Sequence, residues 1–121
     1  MEKVKMTSKG NPKKKIELRQ TINDYSLLEG DTIKINELET VGLIECKIDN
    51  VNILKNNEFI MNLIDISDDT GSLIAMIITK DDKDLQKLLN NLKVNDVCLI
   101  RCRKSRNPEV VGLFAIKKIN N

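Results

Sequence analysis

The chain contains no histidine and no tryptophan, and its 121 residues include one tyrosine and two phenylalanines. Without imidazole there is no histidine-based dyad or triad and no histidine ligand for zinc. The glycine motifs that cradle phosphates and dinucleotides, GxxxxGK[ST] and GxGxxG, are missing as well. The three cysteines, Cys46, Cys98 and Cys102, are odd in number, lack CxxC spacing and lie in apolar strand-like patterns. Reduced cysteine in such a pattern acts as a small hydrophobe, so neither a disulfide framework nor a zinc site is expected. No run approaches the roughly 18 apolar residues of a membrane-spanning helix, and the lysine-rich start lacks the apolar stretch of a signal peptide. These absences predict a cytoplasmic protein with no catalytic residues, cofactor, metal or membrane partner.

What the chain does contain is typical of one globular domain: 40% hydrophobic and 31% charged residues, enough apolar content for a modest core. Charge is distributed unevenly. Residues 1–30 carry seven Lys or Arg against four acids, whereas the remaining residues carry 13 against 14. The first fifteen, with Gly10-Asn11-Pro12, read as a basic arm. Ile16 to Leu28 has enough apolar content to pack on the body, and Gly30-Asp31 is the expected junction. The organisation is therefore a basic N-terminal segment, 1–30, and a folded domain, 31–121.

Two strand-like runs, Asn62 to Ile66 and Leu73 to Ile77, flank Ser67-Asp68-Asp69-Thr70-Gly71-Ser72. Asp and Ser can bond their own backbone two residues on, and Gly is expected to supply a positive φ, so a hairpin is specified here. Val41 to Leu54 reads as a long strand with Ile44, Cys46 and Ile48 on one face. Val51 and Ile53 resume after a change of parity near Asp49-Asn50, which predicts a bulge. Lys55 to Glu58 is a hairpin loop, Phe59 to Ile66 the second strand and Leu73 to Thr79 the third. Asp81 or Asp82 caps a helix whose Leu85, Leu88, Leu89 and Leu92 recur at helical spacing. Val94 to Arg103 and Glu109 to Lys118 are the fourth and fifth strands. The acidic pairs around Asp68 and Asp82 thus have structural roles, as turn and cap.

The order βββ-α-ββ fits an all-β fold with small α content, a five-stranded Greek-key OB barrel with a helix between strands 3 and 4. A long bent first strand suits that barrel, because it must pair with both halves of the sheet. An SH3-like barrel lacks the helix, and a ferredoxin-like order needs one after the first strand.

The run Leu63-Ile64-Asp65-Ile66-Ser67-Asp68-Asp69-Thr70-Gly71-Ser72-Leu73 resembles the D-x-T-G-S hairpin of nucleic-acid-binding OB domains. Ile33 to Leu38 before the first strand, Thr79 to Asp84 opening the helix and Leu92 to Cys102 after it are similar to the OB domain of PolC-type DNA polymerase III α subunits. The resemblance covers residues 33–119. It implies a non-catalytic module of a replicative polymerase that binds single-stranded nucleic acid, DNA or possibly RNA, and contacts other domains of its parent, as a monomer.

Single strands are held by cations that follow phosphates and by aromatic side chains that stack on bases. Arg101 and Arg103 share one face of strand four, and Lys104 and Arg106 continue into the loop bordering the usual ligand face. Lys47 and Lys55 add candidate phosphate contacts. The alternative for such a cluster is a solvated face. Phe59 is the stacking candidate, with core packing as its alternative, and Phe114, alternating with Gly112 and Ile116, is expected in the core. Ile74, Met76 and Ile78 are expected to face outward, as a protein contact or covered by Tyr25, Leu27 and Leu28. The competing functions are a protein-assembly OB domain and an RNA- or tRNA-binding one.

Overall fold

Strand β1, Val41–Lys55, is long enough to serve two neighbours, and its sequence bends it in the middle. Val41 to Lys47 pair antiparallel with β4, Val97–Lys104. From Lys47 onward β1 pairs instead with β2, Ile60–Asp68, and the register slips between Ile48 and Asn50. The parity break at Asp49-Asn50 is therefore a bulge, which turns Val51 and Ile53 back toward the interior. Strand β3, Gly71–Thr79, pairs antiparallel with β2, and β5, Val110–Lys118, pairs antiparallel with β4. A short parallel pairing of β3 with β5 closes the barrel in the order β1-β2-β3-β5-β4. This is the OB topology. The computed structural model describes residues 25–119, so most of the basic arm expected over 1–30 lies outside the described residues.

Helix α1, Lys83–Asn90, follows β3. Asp82 caps it, accepting a hydrogen bond from the Leu85 amide at 2.9 Å. Leu85 and Leu89 are buried, and Leu92 stays buried although the helix has already ended. Gln86 also points inward and enters a buried polar cluster. Its Nε2 donates to Asn62 Oδ1 at 2.8 Å, and its Oε1 accepts from the Thr79 hydroxyl at 2.6 Å. Asn62 Nδ2 donates in turn to the Ile77 carbonyl at 3.1 Å. These bonds satisfy polar groups in an otherwise apolar interior and fix α1 against β2 and β3.

The core consists of inward-facing strand residues, with Ile44, Ile48, Ile64, Ile66 and Ile100 almost wholly removed from water. Cys46 and Cys98 oppose each other across β1 and β4, and all three cysteines are buried free thiols. Burial pushes the Cys46 thiol well above its ordinary range and the Cys98 and Cys102 thiols up to about 11. At one end Gly42 admits the side chains of Ile33 and Leu38: a Cβ there would lie 2.7 Å from Ile33 Cδ1. Strand β4 starts at Val97, later than the pattern predicts. Lys93 to Asp96 form a turn with Asn95 at φ 78°, and the Lys93 amide donates to Asp96 Oδ2 at 2.8 Å.

Tyr25–Leu28 form a 3-10 turn packed against the barrel, but on a different face from the one expected. Leu28 is buried with Leu43, Ala115 and Leu99, on the outer side of β1, β5 and β4. Arg101 fixes this placement by donating to the Leu27 and Glu29 carbonyls at 2.8 and 3.1 Å. Leu28 thus covers β1, β4 and β5 and not the outer side of β3, while the Tyr25 side chain, expected to share in that cover, lies outside what the structure describes. Among the described residues no helix is long and apolar enough to cross a membrane.

Candidate nucleic-acid interface

The hairpin between β2 and β3 is closed by Asp69 and Thr70, with Asp68 paired to Gly71, which does not take the positive φ expected of it; the Asp68 side chain holds the turn instead. Asp68 Oδ1 accepts from the Thr70 amide at 2.7 Å, the Thr70 hydroxyl at 2.6 Å and the Gly71 amide at 3.2 Å. Its Oδ2 reaches out of the turn to the Ile35 amide at 2.8 Å, and Thr70 Oγ1 accepts from the Asn36 amide at 3.1 Å. The turn therefore docks the 3-10 turn Ile35–Glu37 that leads into β1. Partial burial works to raise the Asp68 pKa, but its hydrogen bonds with Thr70, Ile35 and Gly71 outweigh it and hold the carboxyl below its ordinary value of 3.8. The acidic group has a structural partner for each oxygen. Among the described residues no cluster of acidic or thiol side chains is arranged to hold a metal.

The registers define the outer surface row by row. Asn52 of β1 lies beside Leu63 of β2, then Met76 of β3, Gly112 of β5 and Arg103 of β4. The neighbouring row runs Leu54, Met61, Ile78, and the other runs Asn50, Asp65, Ile74, Val110. Met61, Leu63, Ile74 and Met76 are half-buried, while Leu54 and Ile78 are exposed. Ile74, Met76 and Ile78 thus share the outward side of β3, in the middle of an aliphatic face with no aromatic or basic side chain on β2 or β3.

The basic candidates sit around this face and do not converge on one point. Lys55 and Phe59 flank the β1–β2 loop, beside the Ile60 and Thr79 end of the ladder. The β4–β5 loop carries Arg106 and returns to β5 at the level of Ile74. Five residues of β3 separate the two levels, roughly 17 Å along an extended strand. Phe59 is half-buried, its amide and the Glu58 amide held by Asn56 Oδ1. Lys47 lies beyond the β1 bulge, 3.8 Å from Asp49, away from both loops. Arg101 is committed to the Leu27 and Glu29 carbonyls. Arg103, Lys104 and Arg106 are exposed.

Phe114 departs from its expected place in the core. The β4–β5 register slips between Arg101 and Cys102, so Phe114 is passed over: Arg101 faces Ala115 and Cys102 faces Leu113. Phe114 therefore keeps step with outward-facing Gly112 while the extra residue returns Ile116 to the interior; Phe114 is half-buried, and the Arg103 guanidinium carbon lies 5.5 Å from its ring centroid. That is cation–π distance. A signal was present in the sequence: Val111 and Leu113 set a two-residue period that Ile116 breaks. No protein family, curated protein or solved structure matches this chain.

Proposed function

We propose that this barrel is a non-catalytic module that binds single-stranded nucleic acid along the outer face of β1 to β3. The observation that carries the reading is the flanking of that face, the one OB barrels use for ligands, by exposed cations at both ends: Lys55 at one loop and Arg103, Lys104 and Arg106 at the other. A strand laid between them meets phosphate partners at its ends and apolar surface in between. That the strand is DNA, and that the module belongs to a PolC-type polymerase III α subunit working in the cytoplasm beside its other domains, rests on the resemblance over residues 33–119.

Titration of labelled (dT)12 at two salt concentrations tests this reading. If the four cations each meet one phosphate, affinity falls about 50-fold between 50 and 200 mM salt, from a slope near −0.7 per contact. The triple substitution Arg103→Ala, Lys104→Ala, Arg106→Ala reduces that slope by about 2. No binding at 50 mM salt refutes the proposal. A second reading, docking of a protein partner, is favoured by the aliphatic character of Leu54, Met61, Leu63, Ile74, Met76 and Ile78. Chemical-shift changes confined to those residues on adding other parts of the parent protein would support it.

A further inference from the structure

We infer that Phe114 and Arg103 form a stacking platform for one unpaired base, a subsite that the scarcity of aromatics on β2 and β3 would otherwise leave missing. The inference rests on the nucleic-acid reading above and names the part of the ligand that this corner takes. Three observations lead to it.

First, Phe114 faces outward with Gly112, out of step with the buried Val111 and Leu113, and stands at the β-bulge opposite Arg101 and Cys102. The bulge lets Ala115 face outward as well and returns Ile116 to the interior, so Phe114 and Ala115 lie side by side on the outer surface. Bulges are over-represented next to binding sites, and this one adjoins a half-buried aromatic ring in a chain that has three aromatics in all. Second, Arg103 is exposed and carries its guanidinium 5.5 Å from the ring centroid. The ring limits where the guanidinium can go, and a planar cation backed by an aromatic offers its outer side to the π-face of a base. A base laid there stacks on Arg103 with Phe114 beneath.

Third, the floor beside this pair is open. Gly112 lies between Met76 and Arg103 in the outer row, and nothing lies within 4 Å of where its Cβ would be. The absent side chain leaves room for the edge of a base or its sugar without exposing the core. Lys104 and Arg106, next along the chain, are exposed and bring further positive charge to this corner. Stacking of this kind tolerates any base, so the subsite adds affinity without sequence preference.

The test compares (dT)12 with an abasic 12-unit strand of the same charge, each titrated into the wild-type chain and its variants. Wild type is expected to prefer (dT)12 by at least 5-fold. Phe114→Leu lowers (dT)12 affinity by about 5- to 150-fold and leaves the abasic strand unchanged, whereas Phe114→Tyr keeps the preference. Arg103→Lys, which keeps the charge and loses the plane, and Gly112→Val, which fills the open floor without adding charge, each reduce the preference; these two readouts decide the matter if Phe114→Leu does not fold. Equal binding of the two strands by wild type, or a preference that survives Arg103→Lys and Gly112→Val, overturns the stacking platform while leaving the phosphate-binding module intact. Failure of wild type to bind either strand overturns both.

Discussion

Replacing Gln86 by Met, which is close to it in shape, should destabilise the barrel by about 2–4 kcal/mol, because it strips a buried cluster of its central member. Gln86 serves Asn62 and Thr79 at once, through bonds of 2.8 and 2.6 Å. Asn62 has 0% and Thr79 2% of its surface exposed, so neither finds water when Gln86 is gone. After Gln86→Met, Asn62 keeps its bond to the Ile77 carbonyl but its Oδ1 is left empty, and the Thr79 hydroxyl loses its acceptor. Each buried group left unsatisfied costs about 1–3 kcal/mol, and the apolar gain from Met offsets part of that sum. Thr79→Val alone is milder, about 1 kcal/mol, because Gln86 Oε1 still accepts from Asn62 Nδ2 at 3.2 Å. The combination is the decisive case. With Gln86 already Met, Thr79→Val removes an orphaned hydroxyl, so the double variant should be at least as stable as Gln86→Met by itself. Urea unfolding followed by far-ultraviolet circular dichroism, on all four proteins of the cycle, measures the coupling. Additivity within about 0.5 kcal/mol, or a Gln86→Met variant as stable as wild type, would refute the argument.

Arg101→Ala should lower stability by about 1–2 kcal/mol, since it frees the Leu27 and Glu29 carbonyls and loosens the cover that Leu28 provides; faster amide exchange in Leu28 and Leu43 is the readout, and unchanged exchange would contradict the clamp. Because Asp68 titrates below its ordinary value when folded, its contribution is complete above about pH 4 and is lost as pH falls through the lowered folded value. Acid unfolding curves should therefore show a smaller pH dependence for Asp68→Asn than for wild type, and parallel curves would count against the assignment. The three cysteines, with thiols held protonated by burial, should react with a disulfide reagent at pH 8 only after denaturant is added. Burst labelling of the native protein would contradict their placement.

The barrel was legible in the sequence because its essential signals are local. The parity break at Asp49-Asn50 marks the bend of β1, the Asp-Asp-Thr-Gly turn fixes the β2–β3 register, and the leucines at 85, 88 and 89 mark α1. The site was less legible for three separate reasons. Phe114 was assigned inward because an assumed unbroken alternation hides a bulge that only Ile116 betrays. Leu28 was assigned to the wrong strands because sequence shows that a segment is apolar and is silent on which of two apolar faces it meets; Leu43, Leu99 and Ala115 won over Ile74 and Met76. Arg101 looked like a free cation because its partners are backbone carbonyls 72 and 74 residues away. Gln86 carried no signal, since a single polar residue on the inner side of a helix has no period of its own.

The unequal lengths of the barrel's ladders determine how it can open. Strand β3 meets β5 only through Ile74, Ala75 and Met76, while β1, β2 and β4 are joined along most of their lengths. The molecule is accordingly two hairpins hung on one long strand and fastened by a short seam, with the Asp49-Asn50 bend as the natural hinge. Thermal breathing begins at such a seam, where few hydrogen bonds must break, one of them from the Ile74 amide to the Glu109 carbonyl at 2.8 Å. That seam runs beside Gly112 and directly beneath the Met76 to Arg103 row, so the surface offered to a ligand straddles the least cooperative line in the barrel, and any ligand that bridges it acts as a staple on the whole fold.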